Sequence, residues 1–396
     1  MTAINGRQDR AGLSRALLVY GSGFLQGIVL VSFPASGVVL TQTYGLSDQQ
    51  YGTLFVFQLI AALSGAVVAA LYADRTTLQR WLQAAILTAL LAECCLAAVA
   101  SIDERAAFAV AAAGISFLGV SFGIGAAPLN SLPKLLFPAQ PHSAVVALHT
   151  LLGLGLACGP LLLGAFIMAG QWSGFPLLLA VVGMVLLAGS LAIRLPGASQ
   201  TPAPGGVGHL MRQPLFWLYV VAAILYAFAE GTFANWASIY VDDVRDLGAV
   251  AGALSLSIFW AAMVTGRLLV SALLVWVSPW RIWPLLPLII AAAFPALARI
   301  ETIAEAYAAY AVAGLACSAF FPLSMTLASE RFAQGIAQVS SLMIAALMCG
   351  VGLGSYVIGL LRQQFGLERL FDLSVIYPLA ALVIVLVIAS LQRQSR

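Results

Sequence analysis

Charged side chains are scarce in this sequence. Asp, Glu, Lys and Arg make up 8% of the 396 residues, whereas hydrophobic residues make up 62%. Because a soluble domain carries about 25% charged residues, this chain has too little charge to cover a water-soluble globule of its length. The scarcity of charge therefore excludes an ordinary soluble protein.

The sequence also lacks the motifs of the common enzyme classes. It has no glycine-rich phosphate-binding loop, no paired carboxylates in a polar segment, and no Ser, His and Asp set outside the apolar runs. No polar segment is long enough to form a domain that hydrolyses ATP. We therefore expect no enzyme activity and no cofactor. Any transport by this protein must then draw its energy from an ion or solute gradient.

Cysteine is rare, and its spacing does not indicate a metal site. The five cysteines all lie within apolar runs, at Cys94, Cys95, Cys158, Cys317 and Cys349. None has metal-ligand spacing with His, so we expect packing rather than disulfides or metal binding. The net charge of +3 gives no indication of a nucleic-acid partner.

The sequence contains long apolar runs separated by short polar clusters. There are about twelve runs of roughly 16–30 residues, each near or above the ~20 residues that a membrane-spanning helix needs. This pattern predicts an all-α membrane protein with twelve spans in a lipid bilayer. We expect the first span to be retained, because it lacks a small-residue cleavage site and eleven more spans follow.

The basic residues outside the spans are distributed unequally between the two sides. With a cytoplasmic N-terminus, twelve fall on the cytoplasmic side and five on the external side. The cytoplasmic set is Arg7, Arg10, Arg15, Arg75, Arg80, Lys134, Arg194, Arg212, Arg281, Arg331, Arg393 and Arg396, and the external set is Arg105, Arg245, Arg299, Arg362 and Arg369. This positive-inside bias predicts cytoplasmic N- and C-termini. We expect the protein to lie in the plasma membrane, which in a bacterium means the inner membrane.

The chain is organised as two halves. A polar segment rich in Pro and Gly predicts a cytoplasmic linker at 195–213, between six-helix bundles at 1–194 and 214–396. The halves share short patterns in chain order. FLQG at 24–27 matches FAEG at 228–231, an offset of 204, and ALSG at 62–65 matches MVTG at 263–266, an offset of 201. Such offsets predict a parallel duplication with pseudo-symmetric bundles.

Twelve spans, a central linker and parallel halves resemble the major facilitator superfamily. The loop ALYADRTTLQR (Ala70–Arg80) is similar to that family's motif Gly-x-x-x-Asp-Arg-x-Gly-Arg-Lys. Asp74 and Arg75 match the motif, and Arg80 lies just beyond its basic pair, whereas both glycines are replaced. The resemblance implies that these three residues form a conformational latch between helix ends. The alternative is that they are topological charges at a helix end.

Three spans resemble the fucose-permease-like branch of that superfamily, which contains sugar:proton symporters. The fifth span reads ALHTLLGLGLACGPLLLG, the seventh YAFAEGTFANWASIY and the eighth FWAAMVTGR. Phe228 departs from the branch, which has Gly there, and the fourth span keeps Asn130 without the preceding acid. The resemblance implies a proton-coupled transporter that works by alternating access as a monomer, with a small polar, sugar-like solute bound between the halves.

Glu230 is a candidate for proton coupling and solute binding, because ionisable groups inside a membrane span are costly and mark functional sites. Gly231 follows it and permits a local break in the helix. Tyr226, Asn235 and Trp236 add a phenol, an amide and an indole, which suit a polyhydroxylated solute. The alternative is a carboxylate held by a structural hydrogen bond or ion pair.

Gln26 occupies the position equivalent to Glu230 in the first half, so we expect it to contact the solute. Arg267, in the eighth span, is predicted either to attract the solute or to pin its helix to carbonyl groups of a neighbour. The heights of Arg267 and Glu230 differ by about 9 Å at a rise of 1.5 Å per residue. We therefore expect these two residues to act separately.

Further polar groups have two interpretations each. His149 and Glu93 are candidates for proton coupling, with hydrogen-bonded packing or helix pairing as the alternative. Asn130 and Trp260 are candidates for solute binding, and Gln58 and Trp260 are candidates for lining a cavity, with packing as the alternative.

Two other functions remain open at the level of sequence. Gly155, Gly159, Pro160 and Gly164 also resemble the antiporter motif of the fifth span, although Leu163 replaces the first Gly of its final pair. That resemblance implies proton-driven export of a drug or amphipathic metabolite, with Glu230 as the exchanging acid. A receptor that uses a transporter fold without transport is the third possibility, and the intramembrane acid argues against it.

Overall fold

The computed structural model describes residues 2–72, 75–197, 210–332 and 336–394. Over these ranges it contains twelve helices that are long and apolar enough to cross a membrane. They are α1 (Thr2–Ala35), α2 (Asp48–Leu71), α3 (Leu78–Ala98), α4 (Glu104–Leu136), α5 (Pro141–Met168), α6 (Gly174–Ala192), α7 (Pro214–Asn235), α8 (Ala249–Leu273), α9 (Pro279–Leu297), α10 (Ile303–Arg331), α11 (Ile336–Phe365) and α12 (Leu367–Gln392). The prediction of an all-α protein with twelve spans is confirmed.

Equivalent helices α1 and α7 end in the same way. α1 stops at Ala35 and is followed by a π-helical turn at Val39–Thr43. α7 stops at Asn235 and is followed, after one short turn, by a π-helical turn at Tyr240–Val244. The two π turns begin 201 residues apart, close to the offset of the sequence repeat. The duplication therefore extends to local backbone irregularities.

Three helices of the second half are interrupted. α9 contains a 3₁₀ turn at Trp283–Leu285, and α12 is divided near Ser374. α10 is divided between Cys317 and Phe320. Pro322 accounts for part of the last interruption, because it lacks the N–H that would donate to the carbonyl oxygen of Ser318 in a continuous helix.

The close contacts between helices recur at equivalent positions of the two halves. A Cβ added at Gly119 of α4 would lie 2.4 Å from the carbonyl oxygen of Gln58 in α2. A Cβ added at Gly314 of α10 would lie 2.1 Å from the carbonyl oxygen of Phe259 in α8. Gln58 and Phe259 are 201 residues apart, and the two glycines are 195 apart. Small residues allow this approach in both halves, as the predicted pseudo-symmetry requires.

The chain folds into two compact units. The first comprises Met1–Phe33, Tyr44–Leu46 and Phe57–Pro202, and the second comprises Pro34–Thr43, Ser47–Val56 and Ala203–Arg396. The end of α1 and the start of α2 therefore belong to the second unit. The domain boundaries at 194 and 214 stay a prediction from sequence.

Candidate functional site

Glu230 lies near the end of α7 in the second unit and is 8% exposed. The Tyr226 side chain, one turn earlier, and the charge of Arg267 in α8 both act electrostatically on its carboxyl group. Within 4.0 Å, the ion pairs of the described residues are Arg245–Glu368, Arg362–Asp48 and Arg362–Asp243. Glu230 is thus a buried acid near a cation, without a direct ion pair.

Tyr226 and Arg267 both bind the interruption of α10. The Tyr226 hydroxyl donates to the carbonyl oxygen of Cys317 at 2.8 Å. Nε of Arg267 donates to the carbonyl oxygen of Ser318 at 3.2 Å, which is the group that Pro322 leaves without its helical donor. The contact joins α8 to α10 through a backbone carbonyl group, and the predicted role of Arg267 in solute binding stays a prediction. Pro322 is a sequence signal from which this interruption could have been predicted.

Gly231 does not break α7. The helix continues through it to Asn235, and a Cβ added at Gly231 would lie 3.2 Å from the Cα of Val351 in α11. The glycine thus permits close packing of α7 against α11, and the local break that the sequence allows at this position does not occur. The helix ends at Asn235, and the next residue, Trp236, has a non-helical backbone with φ −112° and ψ 0°.

Asn235 and Trp236 bind neighbouring protein groups in the second unit. The Asn235 side chain donates to Oγ of Ser355 at 2.8 Å, and the Trp236 indole donates to the Ser355 carbonyl oxygen at 3.3 Å. The Tyr51 hydroxyl donates to the Asn235 carbonyl oxygen at 2.7 Å. Their predicted contact with a solute stays a prediction, since these hydrogen bonds would have to rearrange or be shared.

Trp260 differs from Asn235 and Trp236, because its indole N–H is buried and has no partner among the described residues. Its ring packs edge-on against Phe259, with the ring centroids 5.3 Å apart. A buried indole donor without a partner is available to a bound ligand. Its assignment to solute binding stays a prediction.

In the first unit, Gln26 is 6% exposed and accepts a hydrogen bond from Oγ of Ser121 at 3.1 Å. Its Nε2 has no partner among the described residues. A small cavity beside it is also lined by Ser22, Leu82 and Ala89. The amide donor of Gln26 is therefore also available, although its contact with a solute stays a prediction.

The other candidates of the first unit lie on four different helices, and two of them contact each other. His149 of α5 is exposed and shares a 3.0 Å hydrogen bond with Oδ1 of Asn130 in α4. Gln58 of α2 is buried. Glu93 of α3 is fully buried and hydrogen-bonded to Oγ of Ser32 in α1. The proposed roles of these residues stay predictions.

The predicted latch is described only in part. Asp74 lies outside the described residues. Arg75 is exposed, with its guanidinium 5.3 Å from the centroid of the Tyr72 ring, and Arg80 is exposed in the first turn of α3. The latch at these residues stays a prediction.

The sequence offered no signal for an ion-pair cluster in the second unit. Arg362 at the end of α11 binds both Asp48 at the start of α2 and Asp243 after α7. We call these three residues the Arg362 cluster. Arg362 and Asp48 are 314 positions apart, and the sequence indicates Arg362 only as a charge on the external side.

A second polar contact lies beside the Arg362 cluster. Nε2 of Gln42 donates to Asp242 at 2.6 Å. Burial raises the pKa of Asp242 above its ordinary value, and the hydrogen bond from Gln42 acts in the opposite direction. Together these contacts hold the end of α1 and the start of α2 within the second unit.

The fold and its repeats are those of a membrane transporter with two pseudo-symmetric six-helix bundles. The family model described as Major Facilitator Superfamily matches residues 16–306. The chain belongs to this superfamily and is an integral, multi-pass membrane protein.

Among curated proteins, the chain is similar to the glucose/mannose transporter GlcP of Bacillus subtilis (strain 168). The two are 24% identical over 365 residues, which cover 87% of this chain and 86% of GlcP.

Two solved structures share the fold. A mutant of the nucleoside transporter NupG gives a TM-score of 0.78 at 13% identity, covering 94% of this chain and 99% of that one. A bacterial homologue of the human lysosomal transporter Spinster, in an inward-facing and occupied conformation, gives 0.75 at 17% identity, covering 95% and 96%. At these identities the similarity concerns the fold alone.

Proposed function

We propose that this protein is a proton-coupled secondary active transporter that moves a small, polar, sugar-like solute by alternating access. We place it in the plasma membrane, the inner membrane of a bacterium, with both termini in the cytoplasm. The observation that carries the proposal is the environment of Glu230. A buried acid that is close to a cation without being paired to it is suited to gain and lose a proton during a transport cycle.

The solute class is supported by two further observations. GlcP, a relative of similar length, is a glucose and mannose transporter. In the second unit, the Trp260 indole donor and the Glu230 carboxyl group provide a donor and an acceptor for hydroxyl groups, and aromatic faces suit the apolar face of a sugar ring. We propose that Glu230 both binds the solute and carries the proton.

Coupling can be tested in proteoliposomes with radiolabelled glucose as the probe and a proton gradient as the driving force. We expect Glu230→Gln to abolish concentrative uptake and to preserve exchange of glucose across the membrane, because the amide keeps the shape but cannot titrate. Glu301→Gln, an exposed position, is the matched control. Proton-driven uptake that survives unchanged in Glu230→Gln would refute the assignment.

Export of an amphipathic compound is the second candidate. It is favoured by the packing of the antiporter-like segment, because a Cβ added at Gly155 of α5 would lie 2.3 Å from the carbonyl oxygen of Phe24 in α1. The direction of proton flux distinguishes solute uptake by symport from export by antiport. Symport acidifies the lumen as the solute enters, whereas antiport makes it more alkaline. Ligand-dependent stabilisation without any flux would instead support a receptor.

A further inference from the structure

Glu93 is a buried acid whose surroundings differ from those of Glu230. It lies in α3 of the first unit and is 0% exposed. Its Oε1 is 2.7 Å from Oγ of Ser32, and its Oε2 has no partner among the described residues. None of the described ion pairs within 4.0 Å involves it.

The hydrogen atoms available at this contact can be counted. Oγ of Ser32 lies 2.7 Å from Glu93 and 2.9 Å from the carbonyl oxygen of Val29. If Glu93 is ionised, its carboxylate oxygen and the Val29 carbonyl oxygen are both acceptors. A serine hydroxyl, however, has only one hydrogen to donate. An ionised Glu93 would therefore compete with Val29 for a single hydrogen, and Oε2 would remain a buried charge without a donor, which is costly.

We infer that Glu93 binds a proton of its own in this structure, at a site separate from Glu230. The carboxyl group donates this proton to Oγ of Ser32, and Ser32 donates its own hydrogen to the carbonyl oxygen of Val29. One added proton thus satisfies both short contacts and removes the buried charge. The inference rests on the geometry of the first unit and does not depend on the proposed transport activity.

The proton lies where it can influence the backbone. Ser32 is two residues before Pro34, which cannot donate to the carbonyl oxygen of Leu30 and so weakens the last turn of α1. The boundary between the two compact units falls between Phe33 and Pro34. The bond from Glu93 therefore ties α3 to α1 at a turn that Pro34 weakens. Loss of the proton favours conformations in which Glu93 reaches water.

Of the groups at this site, Glu93 is the one that we expect to gain or lose a proton. Among the described residues, the titratable groups next to Glu93 on α3 are the thiols of Cys94 and Cys95, and the other ionisable group of this helix, Arg80, lies in its first turn. From α1 it meets Ser32, and α4 approaches this part of α3 through Gly114, whose added Cβ would lie 2.9 Å from the Cβ of Cys95. Neither Ser32 nor Gly114 carries a charge.

Infrared spectroscopy of the purified full-length protein tests the inference directly, because a protonated carboxyl group has a C=O stretch that a carboxylate lacks. At neutral pH we expect Glu93→Gln to remove one such band and Glu230→Gln to leave that band unchanged. Glu93→Gln should fold, since its amide can donate to Ser32 as the acid does. The inference is wrong if the spectrum of Glu93→Gln keeps every protonated-carboxyl band of the unmodified protein.

Ser32→Ala tests the partner and provides a second variant. Removing the acceptor should shift the Glu93 band to a higher frequency without abolishing it, because the carboxyl O–H loses its hydrogen bond. An unshifted band would refute the contact with Ser32. Appearance of an additional protonated-carboxyl band in Ser32→Ala would show that the serine donates to a carboxylate in the unmodified protein, which also overturns the inference. Neither measurement requires transport, so failure of the proposed function leaves this test intact.

Discussion

Gln26 and Glu230 occupy equivalent positions of the two repeats, 204 residues apart, in different chemical surroundings. Gln26 is a neutral amide that accepts from Ser121. Glu230 is an acid that interacts with Tyr226 and Arg267. Around them the helices pack with the same close contacts, at Gly119 in one repeat and Gly314 in the other. Packing is thus duplicated while polar chemistry is not, because backbone approach tolerates almost no substitution and a polar side chain can change without moving the helix.

The largest expected effect concerns the shared packing. We expect Gly119→Ala and Gly314→Ala to destabilise the protein to a similar extent, by about 1–3 kcal/mol each, because both added methyl groups meet a backbone carbonyl oxygen. Thermal melting in detergent measures this loss. Gly189→Ala is the control, since the nearest atom to its added Cβ is 3.9 Å away. A large effect in only one repeat would show that the packing is not equivalent.

The next effect concerns Arg267, whose equivalent in the first repeat is Ala66. Arg267→Lys keeps the charge near Glu230 but loses the Nε donor to Ser318. We expect a loss of about 1.5 kcal/mol, at the lower end for a hydrogen bond from a charged group because the charge itself is kept, again measured by melting.

A double-mutant cycle separates this contact from other effects of Arg267. Pro322→Ala restores a backbone N–H at position 322, which can donate to the Ser318 carbonyl oxygen in place of Arg267. We expect Arg267→Lys to cost measurably less in that background. Equal costs in both backgrounds would show that Arg267 acts through its charge and not by holding the interruption of α10.

The smallest expected effect concerns the Arg362 cluster, which has no counterpart at the end of α5, where Pro141–Met168 carries no Asp, Glu, Lys or Arg. We expect Arg362→Gln to lower stability by only about 0.2–1 kcal/mol, because its partners are partly exposed. High salt should reduce the difference. Arg369→Gln is the control, since Arg369 makes a cation–π contact with Phe365 and no described ion pair. A much larger loss would show that the cluster is a principal stabilising contact.

The burial of Glu230 was predictable from the amino-acid sequence of its own span. A carboxyl group in the middle of an apolar run must enter the membrane with its helix, whatever the neighbouring helices are. Gln26 was predictable as the equivalent of Glu230, because the repeated patterns that contain these two residues are offset by 204 positions. The partners of Arg267 were not, since they depend on how α8 meets the interruption of α10.

Gly231 shows why a local pattern can mislead. A glycine next to an acid is compatible both with a break and with close packing, and only the position of Val351 in α11 distinguishes them. Similarly, Glu93 and Ser32 are 61 residues apart, so neither sequence spacing nor composition indicated the contact that carries our inference about its proton.

The sequence by itself determined the membrane class, the twelve spans and the repeat, because hydrophobic length and the distribution of polar residues act along the chain. Tertiary structure alone decided which carbonyl groups Tyr226 and Arg267 bind, which acids Arg362 pairs with, and how few donors reach Glu93. The physical reason is range. Partition into the bilayer depends on each segment separately, whereas hydrogen bonds and ion pairs require distant segments to meet within about 3 Å.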